Sequence, residues 1–280
     1  MTTFECARPD ERTAGKTPAL AEGFDATIDA VAHEIATSGT SCLRNVVSER
    51  WLETACDYVR TSVDLDGKQE LFIENFAADP RNFAGELFAD PRLATFLRAV
   101  AGAALPRLRA EGQPIETELR VIDGPPRTDD PLWFHYDGTA VTMVLPILIP
   151  KAAPGASGEL ILCPNRRPFR RSVVTNIAEK FLSQNRRYRR RFVERLPREA
   201  NVATVTLEPG NAYLFSGYRS YHATLPCPPD SLRVTLILHF GNVHQDSRLL
   251  ATARRLYRSV YERSRAHGPT AAVKLAADAA

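Results

Sequence analysis

The chain has 280 residues, 44% of them apolar, enough to bury a full core in one large domain. Its net charge of +3 is too small to mark a nucleic-acid binder, and its longest apolar run, Ala140 to Pro150, falls well short of the roughly 20 residues a membrane helix needs. Five scattered cysteines, Cys6, Cys42, Cys56, Cys163 and Cys227, form no C-x-x-C pair, which gives no sign of zinc or redox chemistry and suits reduced thiols.

Residues 1–20 are polar and proline-bearing, with no periodicity and no apolar h-region, so a loose tail and a cytoplasmic location are expected. A single domain is expected over 21–265, without linker or internal repeat: a helical front half at about 21–113, a core at about 114–245 and a C-terminal helix at about 246–265, with a second loose tail at 266–280. In the front half Ile28, Val31 and Ile35 follow helical spacing, and Gly39 sits where a glycine would stop that helix. SCLRNVV then alternates like a strand. Ser48 can cap a helix carrying Trp51, Leu52, Ala55 and Val59, and Asp90 one carrying Leu93, Phe96, Leu97 and Val100.

After Pro114 the texture changes to short runs bounded by Pro, Gly and Asp: IETELRVI, DPLWFHY, TAVTMVLPILI, GELILC, ATVTLEP, NAYLFS, RSYHATL and LRVTLILHF. Such punctuation suggests a mainly β fold, a sandwich or jelly roll with the front helices packed outside. One segment interrupts the series. Over residues 176–198 Phe181, Tyr188, Phe192 and Leu196 fall on one helical stripe ending at Pro197, and Arg186, Arg187, Arg189, Arg190, Arg191, Arg195 and Arg198 crowd its second half. These arginines form either a solvated face or a docking surface for an anionic substrate portion or an acidic carrier protein.

The chemistry concentrates in three places. In FHYDGT, His135 and Asp137 stand at i and i+2, one face of a strand, as two ligands of one metal require. A third ligand from a distant strand is supplied by His222 in SYHATL. Two imidazoles and one carboxylate on one face of an octahedron leave open positions, the arrangement of non-haem Fe(II) oxygenases, although a zinc site can use the same donors. His239, inside an apolar run, and His244, without strand context, are weaker third ligands. Arg233, eleven residues after His222, can take a carboxylate in a bidentate fork, with Thr235 two positions on adding a hydroxyl. Arg120 can reach the same space from a neighbouring strand and hold a substrate carboxylate, or form a surface ion pair. Tyr218, Arg219 and Tyr221 flank His222 and are candidates for a substrate entrance, whereas Tyr136, between the two ligands, points away from them.

The order H-x-D, distant His, then Arg resembles the Fe(II)/2-oxoglutarate-dependent oxygenases. The turn in SGELILCP and the strand-to-His stretch PGNAYLFSGYRSYHAT resemble their phytanoyl-CoA dioxygenase-like branch over about residues 115–242. Where that branch often follows its proline turn with Gly-Ser-His, this chain has Pro164-Asn165-Arg166-Arg167, so no acyl-CoA substrate is implied. The resemblance implies a double-stranded β-helix core, with Fe(II) on His135, Asp137 and His222. It also implies the distal carboxylate of 2-oxoglutarate on Arg233, with Thr224 as a further hydroxyl. Fe(II), 2-oxoglutarate and O₂ would then hydroxylate a small-molecule or carrier-tethered substrate, releasing succinate and CO₂; a halogenating relative would need the coordination position that Asp137 fills. A metal- or ligand-binding module without turnover, and a zinc hydrolase, are the alternatives.

Overall fold

A computed structural model describes residues 19–20, 24, 28–65, 69–79, 81–105, 108, 111–125, 132–170, 172–245 and 247. The expected C-terminal helix (apart from Ser247) and tail lie outside these residues, as do residues 1–18. Leu20, at the edge of the expected N-terminal tail, is fully buried and bridges to Val47.

The front half contains α1 (Ile28–Thr37), β1 (Thr40–Leu43), α2 (Glu49–Ser62), β2 (Glu70–Glu74), α3 (Ala84–Ala89) and α4 (Pro91–Ala104). Local chemistry starts and stops these helices. The Ser48 hydroxyl accepts from the Trp51 amide and the Asp90 carboxylate from that of Arg92, with Pro91 in the first turn, caps worth about 1 kcal/mol each. After α1 the chain turns at Gly39 with φ +81°, a conformation that costs glycine little.

The remaining elements are β3 (Glu116–Asp123), β4 (Thr139–Leu148), β5 (Leu160–Cys163), α5 (Val173–Gln184), α6 (Arg186–Arg195), β6 (Ala203–Val205), β7 (Ala212–Phe215), β8 (Tyr221–Thr224) and β9 (Leu232–Asn242). They build two antiparallel sheets, ordered β1-β7-β4-β9-β3-β2 and β6-β5-β8. Period-two alternation divides their side chains into layers. One face of the larger sheet, with Leu119, Val121, Val141, Met143, Leu214, Leu236 and Leu238, shares the main core with Val31, Trp51, Phe96 and Val100 of the front helices. Its other face gives Val144, Tyr213 and Phe215 to a cluster with Leu160 and Leu162 of the smaller sheet. The far face of the smaller sheet, Ile161, Cys163, Tyr221 and Ala223, packs with Phe134, Tyr136 and Phe192 of α6.

Two expectations change here. DPLWFHY is not a strand over its described residues, in which only His135 makes a bridge. The basic segment is not one helix: α5 ends at Gln184 and Asn185, in extended conformation, accepts from the Arg187 amide to cap α6. The break rotates the supposed stripe apart, so that Phe192 is buried while Phe181 is 68% exposed.

Candidate metal centre

The space between the sheets receives polar side chains from both. On β8 alternation sends His222 and Thr224 inward and Tyr221 and Ala223 outward. A single antiparallel bridge ties the His135 segment to this strand: the His135 amide donates to the His222 carbonyl at 2.9 Å and the His222 amide to the His135 carbonyl at 3.0 Å. The bridge brings the two imidazole centroids to 4.2 Å.

Asp137 completes the group. One ligand atom from each of His135, Asp137 and His222 lies within 4.8 Å of the others, and Asp137 Oδ1 is 3.4 Å from His135 Nε2 and 3.6 Å from His222 Nε2. Each imidazole is oriented from behind. His135 Nδ1 is 3.0 Å from the Trp133 carbonyl and His222 Nδ1 is 3.1 Å from that of Ser220; a carbonyl accepts only, so Nδ1 carries the proton and Nε2 keeps its lone pair for a metal. Burial pushes the Asp137 carboxyl up, but the neighbouring His222, His135 and His239 side chains together outweigh it and hold the group well below the usual carboxylate range. Burial also pushes His222 down to about 4, against the pull of Asp137. An ionised carboxylate and neutral imidazoles are the protonation states that metal binding needs, so the donor set fits a divalent transition metal.

Residues outside the expected set hold Asp137 in place. Thr142 donates its hydroxyl to Asp137 Oδ2, leaving Oδ1 toward the imidazoles. His239 Nδ1 stands 3.3 Å from Thr142 Oγ1 and 3.8 Å from Asp137 Oδ2, behind the carboxylate. Gly217 accepts the Asp137 amide on its carbonyl at 3.0 Å, and a Cβ there would lie 2.3 Å from both Asp137 Oδ2 and Thr142 Oγ1. Thr142 left a trace in the sequence as the polar residue inside an apolar run; Gly217 left none. Glu118, on the same inner face, has no hydrogen-bond partner among the described residues, and burial pushes its carboxyl up. The alternation Glu116, Glu118, Arg120 along β3 was the signal for it.

Arg233 is 3% exposed at the inner end of β9, its Nε donating to the Gly158 carbonyl at 2.8 Å and its Nη1 to Thr235 Oγ1 at 3.3 Å. Burial and the Arg120 charge lower its pKa to about 9. Gly158 is small for a reason: a Cβ there would meet the Arg233 side chain at 2.5 Å. Arg120, opposite Thr235 in the β3–β9 ladder, gives Nη1 to Thr224 Oγ1 at 3.1 Å and Nε to Glu70 Oε1 at 2.7 Å. Thus Arg120, Thr224, Arg233 and Thr235 come together. Tyr218, Arg219 and Tyr221 do not join the triad. The Tyr218 ring and the Tyr136 ring sandwich the Arg167 guanidinium at 4.2 Å each, Arg219 Nε donates to the Arg167 carbonyl, and Tyr221 donates its hydroxyl to the Ser183 carbonyl on the far side of the smaller sheet.

No protein-family model matches the sequence, and no curated protein is significantly similar to it. The fold is nevertheless shared with solved structures. A prolyl 4-hydroxylase from Phytophthora capsici aligns at 15% identity over 85% of this chain and 70% of that one, with a TM-score of 0.54. The non-heme alpha ketoglutarate dependent carbocyclase SnoK from nogalamycin biosynthesis aligns at 16% identity over 84% and 93%, with a TM-score of 0.51. HygX from Streptomyces hygroscopicus, with nickel and 2-oxoglutarate bound, aligns at 12% over 76% and 87%, with a TM-score of 0.50. At such identities the likeness establishes the architecture, mainly antiparallel sheet with helices, and the site must speak for its own chemistry.

Proposed function

We propose that this chain is an Fe(II)- and 2-oxoglutarate-dependent oxygenase of the phytanoyl-CoA dioxygenase-like kind, built on a double-stranded β-helix core. It hydroxylates an unactivated C–H bond of a small molecule, free or tethered to a carrier protein. The observation that carries this reading is the convergence of His135, Asp137 and His222 within 4.8 Å in the space that also receives the buried Arg233. The solved structures that share the fold support it, since SnoK is alpha ketoglutarate dependent and HygX holds nickel and 2-oxoglutarate.

The roles follow from position. His135, Asp137 and His222 would hold Fe(II), which together with O₂ and 2-oxoglutarate would supply the oxidising chemistry, the 2-oxoglutarate being converted to succinate and CO₂. Arg233 forks the distal carboxylate of the cosubstrate, and Thr224 and Thr235 each accept from a guanidinium, so their own protons are free to donate to that anion. Val144, Leu160, Leu162, Tyr213 and Phe215 wall the space with apolar surface and keep water from it. Asp137 fills the position that a halide would take, which favours oxygen insertion. Glu118 and Arg120 face the same space and are polar groups it offers to a substrate.

The test is spectroscopic. Anaerobic addition of Fe(II) and 2-oxoglutarate should give the weak visible charge-transfer band of the chelate, and His135→Ala should abolish it. No band in the unaltered protein, or an undiminished band in the variant, would remove the oxygenase reading.

A further inference from the structure

Helix α5 is inside out. Its buried residues are Asn176, Lys180, Ser183 and Gln184, while Val174, Phe181 and Leu182 are 66%, 68% and 67% exposed. A surface helix ordinarily turns its apolar stripe to the core, and α5 instead presents its stripe to solvent. Its polar side meets a polar neighbourhood: Glu179 pairs with Arg170 at 2.9 Å and with Arg167 at 3.2 Å. Past Asn185, Tyr188 is 43% exposed, and on the open face of α6 Arg187, Arg190 and Arg191 are exposed and make no ion pair among the described residues. A cavity of ≈ 370 Å³ lined by Asn185, Arg186, Arg187 and Arg190 lies at the junction.

We propose that the adjoining outer faces of α5 and α6 form a docking surface for an acidic partner protein that presents an amphipathic helix. Its apolar ridge seats on Val174, Phe181, Leu182 and Tyr188, and its carboxylates on Arg187, Arg190 and Arg191. Four exposed large apolar side chains on adjoining helices, beside unpaired cations, are the composition of an interface core with a charged rim, and charge complementarity selects the partner's sign. The chain's own candidate occupant carries the wrong charge: residues 249–266 bear Arg254, Arg255, Arg258, Arg263 and Arg265 against Glu262 alone. A second copy docking face to face would oppose the same arginines to each other. This surface lies behind the smaller sheet, on the side away from the metal-ligand space, so the inference stands whatever metal the triad takes.

The experiment uses the full chain and a fluorescent, stapled amphipathic peptide with leucines on one face and glutamates along its edges, beside a twin with lysines for glutamates. The acidic peptide should bind, with affinity falling as salt rises, and Phe181→Ser/Leu182→Ser or Arg187→Glu/Arg190→Glu/Arg191→Glu should each weaken it about tenfold or more. Both variants alter exposed positions, and circular dichroism checks that each stays folded. The proposal falls if the lysine twin binds as well, if neither peptide binds, if the unaltered chain dimerises through this face in sedimentation, or if only anionic phospholipid vesicles are bound and the same variants abolish that binding.

Discussion

At the scale of single residues the candidate centre depends on a carboxylate aimed by groups that touch no metal. Asp137 could offer either oxygen; Thr142 occupies Oδ2 and His239 stands beyond it, so Oδ1 faces the imidazoles. Gly217 is the residue that makes this possible, because the backbone passes so near that a methyl group would press on both Asp137 and Thr142. Such a methyl must displace the carboxylate or the hydroxyl, and losing the support of a ligand typically costs 10–100-fold in metal affinity. Gly217→Ala and Thr142→Val are therefore expected to weaken Ni(II) binding by about 10–100-fold while leaving the far-ultraviolet spectrum unchanged. Isothermal titration with Ni(II) decides it, and affinity equal to that of the unaltered protein in both variants would mean that Asp137 needs no such support.

At the scale of elements, β2 matters more than its five residues suggest. It brings Glu70 to Arg120, which reaches across to Thr224 on the smaller sheet, so one chain of contacts links an edge strand to the space beside Arg233. Arg120 is thus both clamped by Glu70 and near enough to Arg233 to lower its pKa. A dicarboxylate entering that space gains from both guanidiniums and loses to the Glu70 charge. Arg120→Gln should weaken 2-oxoglutarate binding about tenfold, the worth of one charge-assisted hydrogen bond, and Glu70→Gln should tighten it, with Ni(II) affinity unchanged in either. Equal 2-oxoglutarate affinity in all three proteins, titrated with Ni(II) in place, would show that Arg120 only braces the sheets. None of this was legible in ELFIE, whose residues are all at least partly exposed and whose pairing with β3 is a tertiary fact. The helix caps at Ser48 and Asp90 and the Pro-, Gly- and Asp-bounded runs of β3 to β9 were legible because each depends on near neighbours in the chain. The α5–α6 break was not, since Asn185 is a helix-compatible residue whose capping role appears only once the chain turns there. His135, Asp137, His222 and Arg233 could be picked out by residue type and spacing; Thr142 and Glu118 left only a polar residue in an apolar run and an alternating strand, and Gly217, which acts through proximity across strands, left no trace.

At the scale of the whole molecule the three ligands do more than form a site. His222 belongs to the smaller sheet, Asp137 is tied to Thr142 of the larger one, and His135 sits on an irregular segment that a single bridge attaches to β8. Two backbone hydrogen bonds tie the His135 segment to β8, and the polar side chains of all three segments lie close together at this end. A divalent ion would join all three segments at once, binding the folded chain and not the unfolded one, and its binding energy would add to folding stability. With free Ni(II) at a hundred times its dissociation constant the gain is about 2.7 kcal/mol. For a chain of this size that corresponds to a midpoint higher by about 5 °C. The rise should grow with the logarithm of Ni(II) concentration, disappear on chelation and be absent in His135→Ala and Asp137→Ala. The same thermal scans should show 2-oxoglutarate adding a further increment only when Ni(II) is present, because the proposed carboxylate grip at Arg233 and chelation of the metal would act together. An increment from 2-oxoglutarate alone, equal in size, would mean that the anion site works independently of the triad; a Ni(II) shift that survives both substitutions would place the metal elsewhere on the chain.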